Sequence, residues 1–192
     1  MGKGNMADEC SAAGDWSDHF EKSIRTESTR AKVVLSACYL EELLHQIIAI
    51  MLYPVAENED PFLEGPQAPL NSISAKIDLA WRMGVIPDDT RASLHLVRKI
   101  RNRFVHSLAT CDFEDPKIRS WNSEFHKLND HATAERRATF SDGPGGDFEK
   151  SLSWLVFWLE HIIQTIPSTC PQCGSDMEHR AKIKAAKPGE HG

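Results

Sequence analysis

The sequence predicts an all-α fold, a single helical bundle. Three observations support this. Apolar residues recur at helical spacing over several long windows. Those windows start or stop at helix signals: Ser28, Ser72 and Asp115-Pro116 at starts, Gly84 and Pro54 at or just past ends. Between them there are no glycine-flanked β-branched runs, no internal repeat and no sustained heptad. At 192 residues, with 41% hydrophobic and 26% charged residues, one domain with a real core is expected. The expected boundaries are a flexible N-terminus (1–16), the helical bundle (17–166) and a polar tail (167–192).

The elements follow in order. "SDHFEKSIRT" reads as a short helix. A stronger one is expected from Ser28 to Leu52, with Val33, Ala37, Leu40, Leu44, Ile47, Ile48 and Met51 on its apolar positions, and Pro54 ends it. Tyr53 to Pro69 holds four prolines and no period, so it is a loop. Ser72 caps "ISAKIDLAWRM", which Gly84 closes. Pro87, Asp88 and Asp89 open a helix that should run to about Leu108, with acids at its positive end. Asp115-Pro116 starts "PKIRSWNSEFHKL". "SDGPGGD" is a breaker. A last helix from Asp147 to Ile166 is apolar nearly all round at its centre, so it is either the central helix or a dimer surface.

Charge and targeting narrow the function. The net charge of −6 argues against general nucleic-acid binding and leaves room for a local basic site. "MGKGNMADECSAAGDWSD" has no apolar run, so no export signal is read there and a cytoplasmic location is expected. "SLSWLVFWLEHIIQTI" is interrupted by Glu160 and His161 and reads as a buried helix, with no membrane role expected. The five cysteines are then expected to be reduced.

The chemistry concentrates in "LVRKIRNRFVHSLA", Leu96 to Ala109. From Thr90 to Thr110 there are five Arg or Lys, two His and no acid. On a wheel, Leu94, Val97, Ile100, Phe104, Val105 and Leu108 share an apolar arc. His95, Arg98, Asn102 and His106 form a second stripe. Arg101 points into the apolar arc, where a guanidinium needs a partner. One reading is structural: Glu41, Glu42 or Asp78 on neighbouring helices answers these cations. The other is RNA phosphodiester cleavage without metal. His106 would take the 2′-OH proton, Arg101 would hold the phosphate, and Asn102 would orient either. Arg98, Lys99 and His95 would then bind phosphate or RNA.

"RNRFVH", Arg101 to His106, resembles the Arg-polar-spacer-His motif of the HEPN superfamily. This implies a small helical bundle, often a homodimer with two motifs facing one cleft. Some members cleave RNA without metal and others are binding modules. A longer stretch, "APLNSISAKIDLAWRMGVIPDDTRASLHLVRKIRNRFVHS" followed by "CDFEDPKIRSW", resembles the mannitol operon repressor family. "RAKVVLSACYLEELLHQII" fits the same family's opening helix. Together they span about Thr29 to Trp121. The resemblance implies a regulator of transcription or of a carbohydrate operon, without proving DNA contact. The alternatives are a metal-independent endoribonuclease and, third, a direct DNA-binding repressor.

Direct reading of DNA has specific residues against it. Ala80, Gly84 and Val85 suit a helix-turn-helix, but the positions that should pack the second helix are Thr90 and Ser93. That helix would also start with Asp88 and Asp89 facing phosphates. A protein or RNA partner is the expected route. In the tail, "STCPQCGSDMEH" looks like half of a zinc ribbon. Cys170 and Cys173, with His179 as a third ligand, are the candidate metal site, and reduced free thiols are the alternative. No other cofactor is expected.

Overall fold

The computed structural model describes residues 24, 26–52, 60–107, 111–133 and 143–166. Among the described residues the chain is all-α, with five long helices. These are α1 (Thr29–Met51), α2 (Ile73–Arg82), α3 (Asp88–His106), α4 (Pro116–Thr133) and α5 (Pro144–Thr165). The short helix expected across "SDHFEKSIRT", the flexible 1–16 segment and the 167–192 tail lie outside the described residues, apart from Ile24 and Thr26.

Local chemistry sets the helix ends. Ser28 and Ser72 accept hydrogen bonds from the backbone N–H of Ala31 and Ala75, satisfying one free donor at each N-terminus. Gly84 sits at φ +72°, the left-handed conformation that ends α2 and that other residues adopt only with strain. Asp115 accepts from the N–H groups of Lys117 and Ile118, so it starts α4 as its position before Pro116 predicts. The last helix departs from expectation. It begins at Pro144, three residues before Asp147, and takes in Gly145 and Gly146. A proline at the first helical position is pre-set in φ and needs no N–H partner, so "GPGG" starts the helix instead of breaking it.

α1 packs against α2, α3 and α5. Val33, Leu40, Leu44 and Ile47 are fully buried and join Leu94, Val97, Ile100 and Phe104 of α3 with Leu155 and Leu159 of α5. By length and composition α1 is long and apolar enough to cross a membrane, and 44% of its most apolar window is buried within the bundle. A chain of aromatic contacts ties the other side together: Phe104 to Phe113 at 5.5 Å, Phe113 to Phe148 at 5.2 Å and Phe148 to Phe125 at 5.8 Å.

Polar ties fix how the helices lie. Asn129 of α4 donates to Ser93 of α3, while Arg103 of α3 reaches Asp115 before α4, so the two helices run antiparallel. Thr90 and Ser93, unpromising as packing positions by sequence, are both buried. Ser93 is tolerated there because Asn129 satisfies its hydroxyl. The last helix, expected from sequence to be either the central helix or a dimer surface, has one buried and one exposed apolar side. Leu155, Val156 and Leu159 are core, whereas Phe157 is 43% exposed and stands beside Trp154 and His161 in a ring cluster on the surface.

Candidate basic site on the third helix

Helix α3 places the basic stretch at the edge of the bundle. Its N-terminal half turns Leu94 and Val97 inward, and its C-terminal half turns Ile100 and Phe104 inward. Val105 is a correction. The wheel put it in the apolar arc, but it is 41% exposed. The buried arc is centred nearer Val97 and Phe104 and also takes in Ser93 and Leu96. Val105 therefore falls on the border beside Arg98. Leu108 lies outside the described residues.

The first turns of α3 are well answered. Arg91 donates to Asp78 through Nε at 3.0 Å and through its terminal nitrogen at 2.7 Å. His95 Nε2 lies 3.3 Å from the same oxygen. The Arg91 guanidinium also sits 4.1 Å from the centre of the Trp81 ring. Trp81 in turn donates to Asp88 at 2.6 Å. The bond from Arg91, helped by His95, holds the Asp78 carboxyl below the usual carboxylate range.

The C-terminal end is answered too. Arg103 bonds Asp115 at 2.8 Å, which lowers the Asp115 carboxyl and raises the Arg103 guanidinium. The helix dipole also favours cations in this last turn.

The residues between are different. Glu41, proposed from sequence as an answer to Arg101, pairs with Lys76 at 2.9 Å. Glu42, also proposed, accepts from Gln46 on its own helix at 3.0 Å, and Asp78, the third, is taken by Arg91 and His95. The remaining ion pairs among the described residues, such as Arg119 with Glu114 and Lys32 with Glu149, leave out Arg98, Lys99 and Arg101. Arg101 is half-buried and donates to the side-chain oxygen of Asn102 at 3.1 Å. Arg98 is half-buried, and its Nε is buried with no hydrogen-bond partner. Lys99 and His106 are exposed.

The structure therefore joins Arg101 to Asn102. It sets His106 one turn further along the same stripe, with no described residue holding its ring. It separates His95 from the group by tying it to Asp78. Sequence reasoning missed the Arg91–Trp81–Asp88 arrangement. The available signal was Asp78, Trp81, Asp88, Arg91 and His95 flanking one tight turn.

No group of three or more His, Cys, Asp or Glu among the described residues is placed to hold a metal ion. Cys170, Cys173 and His179 lie outside those residues.

No family model and no curated protein matches the chain. Among solved structures it is similar to a chain of the X-ray structure of the MtlR–HPr complex from Escherichia coli, with a TM-score of 0.51 and 18% identity over 78% of this chain and 97% of that one. The fold is mannitol-repressor-like. At this identity the likeness concerns fold alone. It agrees with the fold implied by the resemblance across about Thr29 to Trp121.

Proposed function

We propose that the chain is a regulatory protein of the mannitol-repressor type, controlling a carbohydrate operon by binding a protein partner. The observation that carries this is the shared fold with a chain solved as the MtlR–HPr complex. The surface of α3 supports it: Val105 is exposed, and Arg98 and Lys99 pair with no described carboxylate, a mixture suited to protein contact. Reading DNA directly is disfavoured, because α3 would lead with the exposed acids Asp88 and Asp89.

Titrating the full chain with purified HPr by calorimetry tests the proposal. Saturable binding tighter than about 100 µM is expected, well above non-specific association. No heat and no co-elution at that concentration would refute HPr-type partnership.

One observation favours a second reading. Arg101 and Asn102 are joined and His106 is exposed beside them, which suits a metal-independent endoribonuclease of HEPN type that works as a homodimer. That reading expects RNA cleavage in EDTA with cyclic phosphate ends, lost in His106→Ala. Intact RNA after long incubation with concentrated protein would sink it.

A further inference from the structure

We propose that Arg98 and Asn102 form a binding site for a tetrahedral oxyanion of the phosphate class, with Arg101 as the residue that positions Asn102. Arg98, expected from sequence to bind phosphate or RNA beside Lys99 and His95, is here paired with Asn102 instead, and Arg101, expected to hold the phosphate, positions Asn102. The site shares Arg98 with the partner-contact surface and does not depend on that reading.

Each cation on α3 can be assigned by what answers it. Arg91 and His95 share Asp78. Arg103 has Asp115, and it sits with His106 in the last turn, where the helix dipole favours positive charge. Lys99 is exposed and solvated. Arg98 has none of these. It lies two turns before the helix end, beyond the reach of the terminal dipole. Its Nε is shut away from water with no partner. A donor closed to water does not meet a ligand from solvent, so the terminal nitrogens of the half-buried Arg98 guanidinium are the ones that take the oxyanion, and the orphaned Nε marks a charged group that the fold itself does not anchor.

Asn102 is one helical turn from Arg98 on the same face. Its side-chain oxygen accepts from Arg101 at 3.1 Å. That bond fixes which end of the amide is which: the oxygen is used, so the Asn102 Nδ2 donors point the other way. The stripe thus presents a guanidinium and an oriented amide donor, both donor-only. Arg101 adds a second positive charge behind them, and no described carboxylate pairs with either arginine. Two positive charges suit a dianion better than a single carboxylate. A planar guanidinium matches phosphate oxygens pairwise.

The experiment is an NMR titration of the full chain with inorganic phosphate, at constant ionic strength set by chloride. It follows the arginine Nε–H and asparagine side-chain signals. Saturable shifts are expected at Arg98 and Asn102, while Arg91 and Arg103, already bonded to carboxylates, stay still. Arg98→Gln should weaken binding roughly ten- to a hundred-fold, the effect of one charge-assisted hydrogen bond. Arg101→Gln should weaken it less and move the Asn102 side-chain amide signals already in the unliganded protein, because the bond that orients the amide is gone, whereas Lys99→Gln leaves those signals in place. Lys99→Gln should leave binding within about two-fold, as a solvated rim charge does.

A second arm uses a short uridine oligonucleotide. If it saturates the same signals at lower concentration than phosphate, the oxyanion is delivered as a phosphodiester; equal or weaker binding points to a free phosphate. The proposal is overturned if phosphate shifts nothing saturably at Arg98. It is also overturned if Arg103 and Arg119 shift as much, which would mean only general ionic association. The wild-type titration decides this even if Arg98→Gln fails to fold.

Discussion

Asn129 is the buried tie between α4 and α3, and its replacement gives a quantitative test of the fold. Its two side-chain N–H groups are both used, one to the Ser93 hydroxyl at 3.1 Å and one to the Phe125 carbonyl at 2.7 Å. Asn129 is 5% exposed and Ser93 is 1% exposed. Asn129→Leu removes two hydrogen bonds and leaves the Ser93 hydroxyl buried without a partner. Each net bond is worth about 1 kcal/mol and an orphaned buried group costs about 1–3 kcal/mol, so a loss of roughly 2–4 kcal/mol is expected after partial relief from the added apolar contact. Ser93→Ala alone orphans only one amide proton and should cost about 1–2 kcal/mol. The double variant leaves no orphan on either side. Its loss should therefore fall short of the sum of the singles by about 1 kcal/mol or more. Urea unfolding followed by circular dichroism measures all three. Additivity within about 0.3 kcal/mol would mean that the two side chains do not meet, and that α4 does not pack on α3 through this pair.

Asp78→Asn should cost only about 0.5–1 kcal/mol at pH 7, because both Asp78 and Arg91 are more than a third exposed. The folded Asp78 carboxyl lies below its unfolded value, so its contribution is present above about pH 4 and is lost as pH falls through the lowered value. The variant should therefore lose less stability than wild type between pH 7 and pH 3 in denaturant titrations, and an equal loss would contradict the Arg91–Asp78 bond. Gly84→Ala should lower stability by about 1 kcal/mol through backbone conformation alone, since a Cβ there meets nothing within 4 Å. An unchanged unfolding midpoint would argue against the left-handed turn. Phe148→Leu keeps most of the volume but loses ring contacts to Phe113 and Phe125, and about 1–2 kcal/mol is expected by urea unfolding. A change below about 0.3 kcal/mol would show that these rings do not couple.

The helices were legible in sequence where capping chemistry and apolar period agree. Ser28, Ser72, Gly84 and Asp115 mark ends that the structure keeps. The start of α5 was misread because two glycines were weighed above the proline before them. A glycine's conformational cost is modest in a first turn, where Pro144 supplies the fixed φ. The basic stripe was legible as a stripe, since spacing along one helix sets it. Its partners were not. Which carboxylate faces which cation depends on how α1 and α2 lie against α3. A wheel gives the direction of Arg101 but not its neighbour, and so it missed that Arg101 would turn to Asn102 on its own helix. Val105 was misplaced for a related reason: a wheel gives angles, but the helices packed against α3 decide where the buried arc is centred.

Arg98 links stability to function. The fold satisfies Arg91, Arg103 and Lys76 with carboxylates, and it satisfies Ser93 with an amide. Ser36, Asn122 and Trp158 also keep a buried side-chain atom without a partner among the described residues, but the Nε of Arg98 is the one that belongs to a charged group. Such local inconsistencies concentrate where a sequence serves a ligand. Arg98→Met keeps an apolar stem and removes the orphaned charge. Its unfolding free energy should match or exceed that of wild type by up to about 1 kcal/mol, the relief of one unsatisfied donor. Arg91→Met, by contrast, should lose stability by about 0.5–1 kcal/mol because it breaks a made pair and the contact with Trp81. A loss at Arg98 as large as that at Arg91, measured by urea unfolding, would mean that the fold does use Arg98. The case for an external anion at that position would then fail.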